Sequence, residues 1–348
     1  MRAVVVESLR NAVLKNVDDP IVLPESIKIK VESCAICGSD LRIFTKGDAR
    51  AKFPRIIGHE IAGTVVEVGN ENHDFQVGDR VCVAPGHGCG ECYYCKHDMG
   101  NVCINPSPSI GYASSGGFAQ YIVPPVNVVK GGFVNRIPSS LSFDQASMSE
   151  LLACCINGQE RVDVHEGDVV LIIGPGPAGC MHIQLARSRG ARKVFLSGHA
   201  SPRLDRALKF APDKVFTEQG EELVKRVMQE TDGLGVDVVI VASPSPEAQA
   251  LSLHLVAPRG RIDLFGGLSK DNNIVKMDNN IIHYKELILT GASSSLGRQN
   301  WEALALLAEK KVDPDLYITH RFGLEEFSEA FRAVEERETI KAIIKPWL

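Results

Sequence analysis

The stretch that decides the fold is VVLIIGPGPAG, residues 169–179. Its first five residues are all apolar, as in a strand buried on both faces of a parallel sheet. The glycines that follow fit the pattern G-x-G-x-x-G. The first permits a tight turn, the second lets the backbone approach a pyrophosphate, and the third lets a helix pack on the strand. The stretch therefore predicts a dinucleotide-binding turn between a strand and a helix.

The phosphates of a dinucleotide would meet the positive N-terminal end of that helix. The residues expected to hold them are Gly174, Gly176, Pro177, Ala178 and Gly179. The alternative interpretation is a strand-to-helix turn that merely favours glycine.

The end of the next strand bears on which dinucleotide binds. An NAD site usually places an Asp or Glu there, hydrogen-bonded to the ribose 2′-hydroxyl. In this chain Gly198 occupies the position where the acid is expected, and His199 and Arg203 follow it. A missing carboxylate removes repulsion against a 2′-phosphate, and the two basic side chains are able to pair with one. The sequence therefore favours NADP over NAD, although Arg203 also fits an ordinary solvated helix position.

From Asp168 onward strands alternate with helices, within a domain expected to span residues 151–292. Such alternation predicts βαβ units with a doubly wound parallel sheet, hence an α/β domain. The other strands expected in this region are Lys193–Ser197, Lys214–Phe216, Val236–Ala242, Arg261–Phe265 and Leu287–Gly291.

Residues 1–150 differ in character, because short apolar runs recur there between Gly, Pro, Asn and Asp. These runs predict a β-rich domain. They are Ala3–Val6, Ile27–Val31, Ile61–Val68, Arg80–Val83 and Phe118–Val123. Residues 293–348 carry two amphipathic helices, Trp301–Lys310 and Glu325–Glu336, and a final strand, Ile340–Ile344. A strand after helices suggests that this tail returns to the β-rich domain.

Four cysteines lie close together in the β-rich half: Cys89, Cys92, Cys95 and Cys103. A tetrahedral Zn²⁺ takes four such ligands about 2.3 Å away, and short spacers let one loop wrap one ion. All four positions are thiolates, so no place is left for water and the site is expected to be structural. A set of buried reduced cysteines and a disulfide pair are the alternatives.

Composition narrows the class of protein. The 348 residues carry a net charge of −5 with 44% hydrophobic and 23% charged residues. This balance is ordinary for a globular protein and argues against a nucleic-acid partner. No secretory signal and no apolar run of membrane-spanning length is present, so we expect a cytoplasmic protein without a membrane partner.

A second set of possible metal ligands has no local spacing pattern: Cys37, His59, Glu60 and Glu150, with Ser39 beside the cysteine. A catalytic zinc takes three protein ligands and keeps one position open. A nicotinamide that accepts hydride needs a partner group that makes an alcohol release one, and zinc supplies it as a Lewis acid. The combination with the nucleotide turn therefore predicts an alcohol-oxidising site.

With these residues in place, the chain resembles the zinc-dependent medium-chain alcohol and polyol dehydrogenases over its whole length. The motifs that carry the resemblance are Cys37-Gly38-Ser39-Asp40, Gly58-His59-Glu60, the four-cysteine lobe, Gly116–Tyr121 and the glycine turn. Within that family it is most similar to the sorbitol (L-iditol) and galactitol-1-phosphate dehydrogenases, through Glu150, Phe265–Leu268 and His283–Glu286.

The resemblance implies a GroES-like catalytic domain of residues 1–150 and 293–348 with one catalytic and one structural zinc. Residues 151–292 would form a Rossmann domain. Cys37 and His59 would be zinc ligands, Glu60 and Glu150 would share the remaining position, and Ser39 would take the substrate proton. Homodimers or homotetramers are common among such relatives, and the strand Leu287–Gly291 is a candidate for the shared edge.

Two features depart from the family pattern, and one further cysteine lies near the proposed ligands. Glu150 precedes Leu151 where polyol enzymes commonly have proline, and Arg42 stands where they commonly have histidine at the end of the proton relay. Arg42 cannot act as a neutral base, but it is able to contact a phosphate of the cofactor or of the substrate. Cys154 lies four residues after Glu150, on the same helical face, and is a competing candidate zinc ligand.

The sequence thus predicts reversible oxidation of a secondary alcohol, a polyol or polyol phosphate, to a ketone with NAD(P)⁺. L-Threonine 3-dehydrogenase and simple secondary-alcohol dehydrogenase are the alternatives within the enzyme class. A non-catalytic NADPH-binding relative is the alternative outside it, and the intact set of Cys37, Ser39, His59, Glu60 and Glu150 argues against that.

Overall fold

A computed structural model describes all 348 residues, which form two compact units. Unit 1 comprises Met1–Ala153 and Ser294–Leu348, and unit 2 comprises Cys154–Ser293. None of the helices combines the length and the apolar character needed to cross a membrane.

The strands are, in chain order, β1 (Arg2–Ser8), β2 (Asn11–Asn16), β3 (Ile27–Ala35), β4 (Glu60–Val68), β5 (Arg80–Val83), β6 (Tyr121–Ile122), β7 (Val134–Arg136), β8 (Val169–Ile173), β9 (Lys193–Ser197), β10 (Lys214–Phe216), β11 (Val236–Val241), β12 (Val256–Asp263), β13 (Ile288–Thr290), β14 (Ile318–Phe322) and β15 (Lys341–Ile344). The α-helices are α1 (Gly38–Lys46), α2 (Tyr93–Lys96), α3 (Val126–Lys130), α4 (Phe143–Ala146), α5 (Ser149–Arg161), α6 (Pro177–Ser188), α7 (Pro202–Ala207), α8 (Gly220–Glu230), α9 (Pro246–Leu255), α10 (Asn279–Tyr284), α11 (Gly297–Ala308) and α12 (Phe327–Glu335).

Unit 2 is built on a six-stranded sheet in the order β10-β9-β8-β11-β12-β13, and every neighbouring pair is parallel. All five residues of the central strand β8 are buried, as its continuous apolar sequence requires. The strand order reverses between β8 and β11, which is where doubly wound sheets bind ligands. The predicted α/β fold with a parallel sheet is confirmed.

Unit 1 contains a sheet in the order β14-β15-β3-β4-β5-β7, with β6 paired to β3, and a separate β1-β2 hairpin. The last strand, β15, lies antiparallel to β3, with Ile343 opposite Ala35 and Ile344 opposite Cys34. The end of the chain therefore completes the sheet of unit 1. A cluster of aromatic rings from Phe118, Phe327 and Phe331 packs beneath it.

Several elements differ from the sequence prediction. Strand β12 begins five residues before the predicted Arg261, directly after helix α9. Only Tyr121 and Ile122 of the predicted strand Phe118–Val123 pair with β3. Phe118 instead has no exposed surface and lies among core rings. Strands β2 and β14 and helix α1 have no counterpart among the predicted elements, because polar residues interrupt their apolar patterns.

A buried carboxyl group in unit 2 leads to a prediction about pH and stability. Neither oxygen of Asp263, at the end of β12, has a hydrogen-bond partner, and the residue is fully buried. Burial raises the pKa of Asp263 from 3.8 to about 7, and the charge of Arg161 opposes that shift. The folded state therefore holds a proton that the unfolded chain releases above pH 4. Stability is fully retained below that pH and falls as the pH rises towards 7.

We expect Asp263→Asn to remove this loss and to stabilise the protein at pH 8. The expected gain is about 2–3 kcal/mol in the free energy of unfolding. Urea unfolding at pH 4.5 and pH 8 measures it, with the exposed Asp205→Asn as control. An equal effect of Asp263→Asn at both pH values would contradict the assignment.

Candidate functional site

The four clustered cysteines converge around one point in unit 1. The sulfur atoms of Cys92 and Cys95 are 3.6 Å apart, those of Cys92 and Cys103 are 3.6 Å apart, and those of Cys89 and Cys95 are 3.9 Å apart. A tetrahedron with zinc–sulfur bonds of about 2.3 Å has sulfur–sulfur edges of about 3.8 Å. All four ligand atoms lie within 4.8 Å of one another. The cluster therefore fits a zinc ion without rearrangement.

Backbone amides favour the thiolate form of two of these cysteines. The N–H groups of Glu91 and Cys92 point at the sulfur of Cys89 and lower the pKa of that thiol. The N–H of Cys95 acts in the same way on Cys92 and lowers its pKa to about 6. Burial raises the pKa of Cys95 to about 12. A divalent cation at the centre would offset that cost, because a coordinating thiol is deprotonated.

Replacing Cys92 with serine is expected to affect stability more than turnover. The serine hydroxyl is a poorer zinc ligand than a thiolate, so the lobe would lose its metal and the Tm would fall by several degrees. We expect kcat to stay within about threefold, because the cluster leaves no open coordination position. Differential scanning fluorimetry, zinc analysis and steady-state kinetics measure these effects. A folded but inactive C92S protein would show that the cluster is not purely structural.

The second group consists of Cys37, His59 and Glu60, whose ligand atoms also lie within 4.8 Å of one another. The antiparallel pairing of β3 with β4 brings them together. Ala35 at the end of β3 lies opposite Glu60 at the start of β4, so Cys37 and His59 extend from neighbouring strand ends. His59 is 2% exposed and Glu60 is fully buried. One sulfur, one imidazole nitrogen and one carboxylate are a donor set that fits catalytic zinc.

Asp40 fixes the geometry of this group, and sequence reasoning assigned it no role. One of its carboxylate oxygens accepts from the backbone N–H of Gly58 at 3.1 Å and lies 3.2 Å from His59 Nδ1. The other accepts from the N–H of Cys37 at 2.9 Å. With Nδ1–H donating to Asp40, the Nε2 lone pair of His59 is directed at the metal position. Such a carboxylate–histidine pair is the usual orienting contact of a zinc ligand.

Lys341 on β15 was also missed, and it pairs directly with Glu60. Its ammonium group lies 2.6 Å from Glu60 Oε1 and donates to the carbonyl of Ile36 at 3.3 Å. Both side chains are almost fully buried. Burial lowers the pKa of Lys341, but the charges of Glu60, Cys37 and Glu150 more than offset it, so the pKa is raised. One cation therefore lies among three potential anions. The lone lysine in the apolar run of Ile340–Ile344 is the sequence signal that could have revealed it.

The fourth predicted ligand, Glu150, is 6% exposed in the first turn of α5. It is not among the residues of the 4.8 Å group, but it is close enough to Lys341 to raise the pKa of that ammonium group. Cys154 lies one turn further along α5 and is not among the residues of the group either.

A hydroxyl group and an aromatic ring border the metal position. The Oγ atom of Ser39 lies 3.4 Å from Nε2 of His59. The Tyr112 ring lies 5.3 Å from the His59 ring. Burial raises the pKa of Tyr112, while His59 and the Ser39 hydroxyl oppose that shift. Ser39 is therefore placed to exchange a proton with a group bound beside His59. Tyr112 has no local sequence signal, because a long loop delivers it.

The glycine turn of unit 2 has the geometry that a pyrophosphate needs. Gly174 has φ of +119°, in the region that favours glycine, and a Cβ atom at Gly179 would lie 1.9 Å from the Gly174 carbonyl oxygen. A Cβ atom at Gly176, the residue before α6, would meet nothing within 4 Å. Open space thus lies directly before the positive end of a helix that begins with Pro177 and Ala178. The turn fits a phosphate group.

Gly198, where the sequence lacks the expected acid, contacts the glycine turn itself. A Cβ atom at Gly198 would lie 2.8 Å from Cδ of Pro175. An aspartate at this position would conflict with the proline ring. The missing carboxylate therefore has a packing cause that is independent of the choice between NAD and NADP.

Basic side chains lie close to this turn. A cavity of about 580 Å³ in unit 2 is bordered by Ile173, His199, Ser245 and Lys276. Its volume is typical of small-molecule sites. Arg203 on α7 lies near Cys180 on α6, where its charge partly offsets the burial that raises the pKa of that thiol to about 12.

Comparisons with known proteins agree with both halves of this description. Residues 23–132 match the family model described as the alcohol dehydrogenase GroES-like domain. Residues 177–310 match the model described as zinc-binding dehydrogenase.

Three curated relatives span nearly the whole chain. An L-threonine 3-dehydrogenase of Thermococcus kodakarensis is 36% identical over 96% of this chain and 95% of its own length. A D-arabitol-phosphate dehydrogenase of Enterococcus avium is 34% identical over 94% and 91%. A sorbitol dehydrogenase of Halalkalibacterium halodurans is 31% identical over 92% and 91%.

Two similar solved structures contain different nucleotides. A zinc-binding dehydrogenase of Sinorhizobium meliloti bound to NADP has a TM-score of 0.89 and 28% identity over 99% of both chains. An alcohol dehydrogenase of Escherichia coli in complex with NADH has a TM-score of 0.90 and 25% identity over 99% of both chains.

Proposed function

The chain belongs to the zinc-binding, medium-chain alcohol dehydrogenase family, and on that premise we propose that it oxidises a secondary alcohol, a polyol or polyol phosphate, to the ketone. The observation that carries this proposal is the group of Cys37, His59 and Glu60, with the Ser39 hydroxyl 3.4 Å from His59 Nε2. In the reaction the alcohol loses a hydride to the nicotinamide of NAD(P)⁺ and a proton to the protein. A ketone and NAD(P)H are the products.

Cys37 and His59 would hold the catalytic zinc, and Glu60 or Glu150 would supply the remaining carboxylate. Zinc at this position supplies Lewis acidity, which lowers the pKa of a bound hydroxyl group. Ser39 receives the hydroxyl proton and passes it towards solvent. Asp40 keeps His59 in the tautomer that presents Nε2. Lys341 would balance the charge of the buried Glu60 carboxylate, which it contacts at 2.6 Å.

We further propose one structural zinc at Cys89, Cys92, Cys95 and Cys103. Unit 1 would act as the GroES-like catalytic domain, and unit 2 as the Rossmann domain, with the dinucleotide at Gly174, Gly176, Pro177, Ala178 and Gly179. NADP remains slightly favoured, supported by the positive charge of Lys276 and Arg203 and by His199 beside the turn. The absence of an acid at position 198 no longer supports this choice, because packing against Pro175 explains it.

The proposal includes a cytoplasmic homodimer or homotetramer. Clustered unpaired cysteines suit a reducing compartment. Strand β13 ends the parallel sheet, and its Ile288 is 55% exposed, so backbone groups and apolar surface are available to a second copy.

The second candidate function is L-threonine 3-dehydrogenase, favoured by the 36% identity to the Thermococcus enzyme. Both functions use the same zinc, the same proton acceptor and the same hydride transfer. They differ in what surrounds the alcohol, a polyol chain in one case and an amino acid in the other.

A panel of alcohols tests the proposal directly. NAD⁺- and NADP⁺-linked oxidation of sorbitol, D-arabitol phosphate, galactitol 1-phosphate and L-threonine is followed side by side. We expect zinc-dependent turnover of a polyol or its phosphate. Turnover of threonine alone would show that the substrate is an amino acid and not a polyol or polyol phosphate. Absence of turnover with every alcohol and both nucleotides would refute the proposed reaction.

A further inference from the structure

Two arginines share one carboxylate close to the zinc ligands of unit 1. Asp48 accepts from Nε of Arg50 at 3.0 Å and from its Nη2 at 2.9 Å, and it also accepts from Nη2 of Arg42 at 3.3 Å. The hydrogen bonds and charge of Arg50 hold the pKa of Asp48 well below its usual range. All three groups are therefore ionised at neutral pH, and the cluster carries a net charge of +1.

The position of Arg50 connects this cluster to the reaction site. Its guanidinium carbon lies 4.3 Å from the centre of the Tyr112 ring, and that ring lies 5.3 Å from the His59 ring. These two distances limit the separation of Arg50 from the His59 ring to about 9.6 Å.

The guanidinium group is fixed but not enclosed. Asp48 binds it along one edge and Tyr112 supports one face, while the side chain stays 49% exposed. A guanidinium group held in this way keeps N–H donors for a second anion, and it loses little further rotational freedom on binding one. Arg42, which is 46% exposed, adds positive charge at the same place.

We propose that Arg50 binds an anionic group of the alcohol substrate, a phosphate or a carboxylate, and so selects charged over neutral alcohols. This inference rests on the proposed function and narrows its substrate class. An alcohol at the zinc position whose anionic group lies a few carbon atoms away would span the distance from His59 to Arg50. Polyol phosphates and threonine meet that requirement, whereas a neutral polyol such as sorbitol does not.

The test compares sorbitol with sorbitol 6-phosphate, and L-threonine with its methyl amide, which lacks the carboxylate, in the zinc-loaded enzyme. We expect the wild type to prefer, in one pair, the member that carries the phosphate or carboxylate group. Arg50→Gln should lower kcat/KM for that member roughly 10-fold to 100-fold, chiefly through KM. The value of kcat/KM for the other member of the pair, which lacks the phosphate or carboxylate, should change less than about twofold. Arg50→Lys keeps the positive charge but loses the paired N–H donors of the guanidinium group, so its effect should be intermediate.

A matched control is available in the same unit. Arg136 also pairs with an aspartate, Asp79, and lies over an aromatic ring, Phe75, at 5.1 Å. It contacts none of the proposed site residues, so Arg136→Gln should leave both members of each pair unchanged. A binding measurement that needs no turnover accompanies the kinetics. Calorimetric titration of inorganic phosphate into the holoenzyme should give weaker binding for Arg50→Gln than for Arg136→Gln.

The outcomes separate this inference from the proposed function. The inference is supported if Arg50→Gln, but not Arg136→Gln, loses both the anion preference and phosphate binding. The substrate pair that is affected then shows whether the anionic group of the substrate is a phosphate or a carboxylate. Turnover that falls equally for charged and neutral alcohols, or phosphate affinity unchanged by Arg50→Gln, overturns the inference while the dehydrogenase activity stands. A wild type that binds phosphate through Arg50 but oxidises no alcohol refutes the reaction and leaves only an anion site.

Discussion

Replacing His59 with alanine is expected to lower kcat/KM at least 1,000-fold and to leave the fold intact. In the proposed reaction His59 is a zinc ligand, and Lewis-acid stabilisation by zinc is worth several kcal/mol in the transition state. The side chain is buried but makes its main polar contact with Asp40, which keeps its bonds to the Cys37 and Gly58 amides. Cys37→Ala should have the same effect, because it removes a second ligand.

Two measurements accompany this prediction. Circular dichroism and the Tm establish that the variant is folded, and zinc analysis should show loss of one ion per chain relative to the wild type. His73→Ala, an exposed histidine of the same unit, is the matched control and should change neither quantity. A folded His59→Ala protein with near wild-type turnover would contradict the role of His59 as a ligand of the catalytic zinc.

Replacing Lys341 with methionine should destabilise the protein by about 3–5 kcal/mol. The substitution leaves the buried carboxylate of Glu60 without its cationic partner, and an uncompensated buried charge has a cost of this size. Urea unfolding followed by tryptophan fluorescence measures the loss. Lys310→Met, which breaks an exposed pair with Asp315, should cost less than about 1 kcal/mol.

The double variant Glu60→Gln with Lys341→Met distinguishes an ion pair from simple packing. If Lys341 acts by compensating Glu60, removal of both charges should recover most of the lost stability. Additive losses in the double variant would show that the two side chains stabilise the fold independently, and would contradict the assigned pairing.

Local patterns in the sequence predicted the parts of the molecule that depend on short-range order. The glycine turn lies within eleven residues, and its chemistry follows from where glycines stand between a strand and a helix. The four cysteines span fifteen residues, so their spacing alone indicates a shared ion. The doubly wound sheet followed from the alternation of apolar strands and helices. These are the features for which sequence distance and spatial distance are nearly the same.

The family resemblance supplied Cys37, His59 and Glu60, but other residues brought to this group from distant parts of the chain escaped prediction. Lys341 meets Glu60 only because β15 pairs with β3, more than 300 residues away in sequence. Tyr112 lies beside His59 and Arg50 lies over the Tyr112 ring, and the two residues come from separate loops. No periodicity or spacing marks such contacts, because the sheet register that creates them is set by the packing of the whole unit.

The inference about Gly198 shows a different limit. The missing acid suggests NADP selectivity from sequence, but the structure places that position against the Pro175 ring. One residue type can have a packing cause and a binding cause, and the sequence alone does not separate them.

The zinc dependence of nicotinamide reduction tests the central claim most directly. The metal is removed by chelation and returned in measured amounts, while zinc content and the rate of NAD(P)H formation are followed with the preferred alcohol. We expect two zinc ions per chain, loss of activity with the ion held by Cys37 and His59, and recovery in proportion to its return. Undiminished turnover by enzyme whose zinc has been removed would contradict this claim.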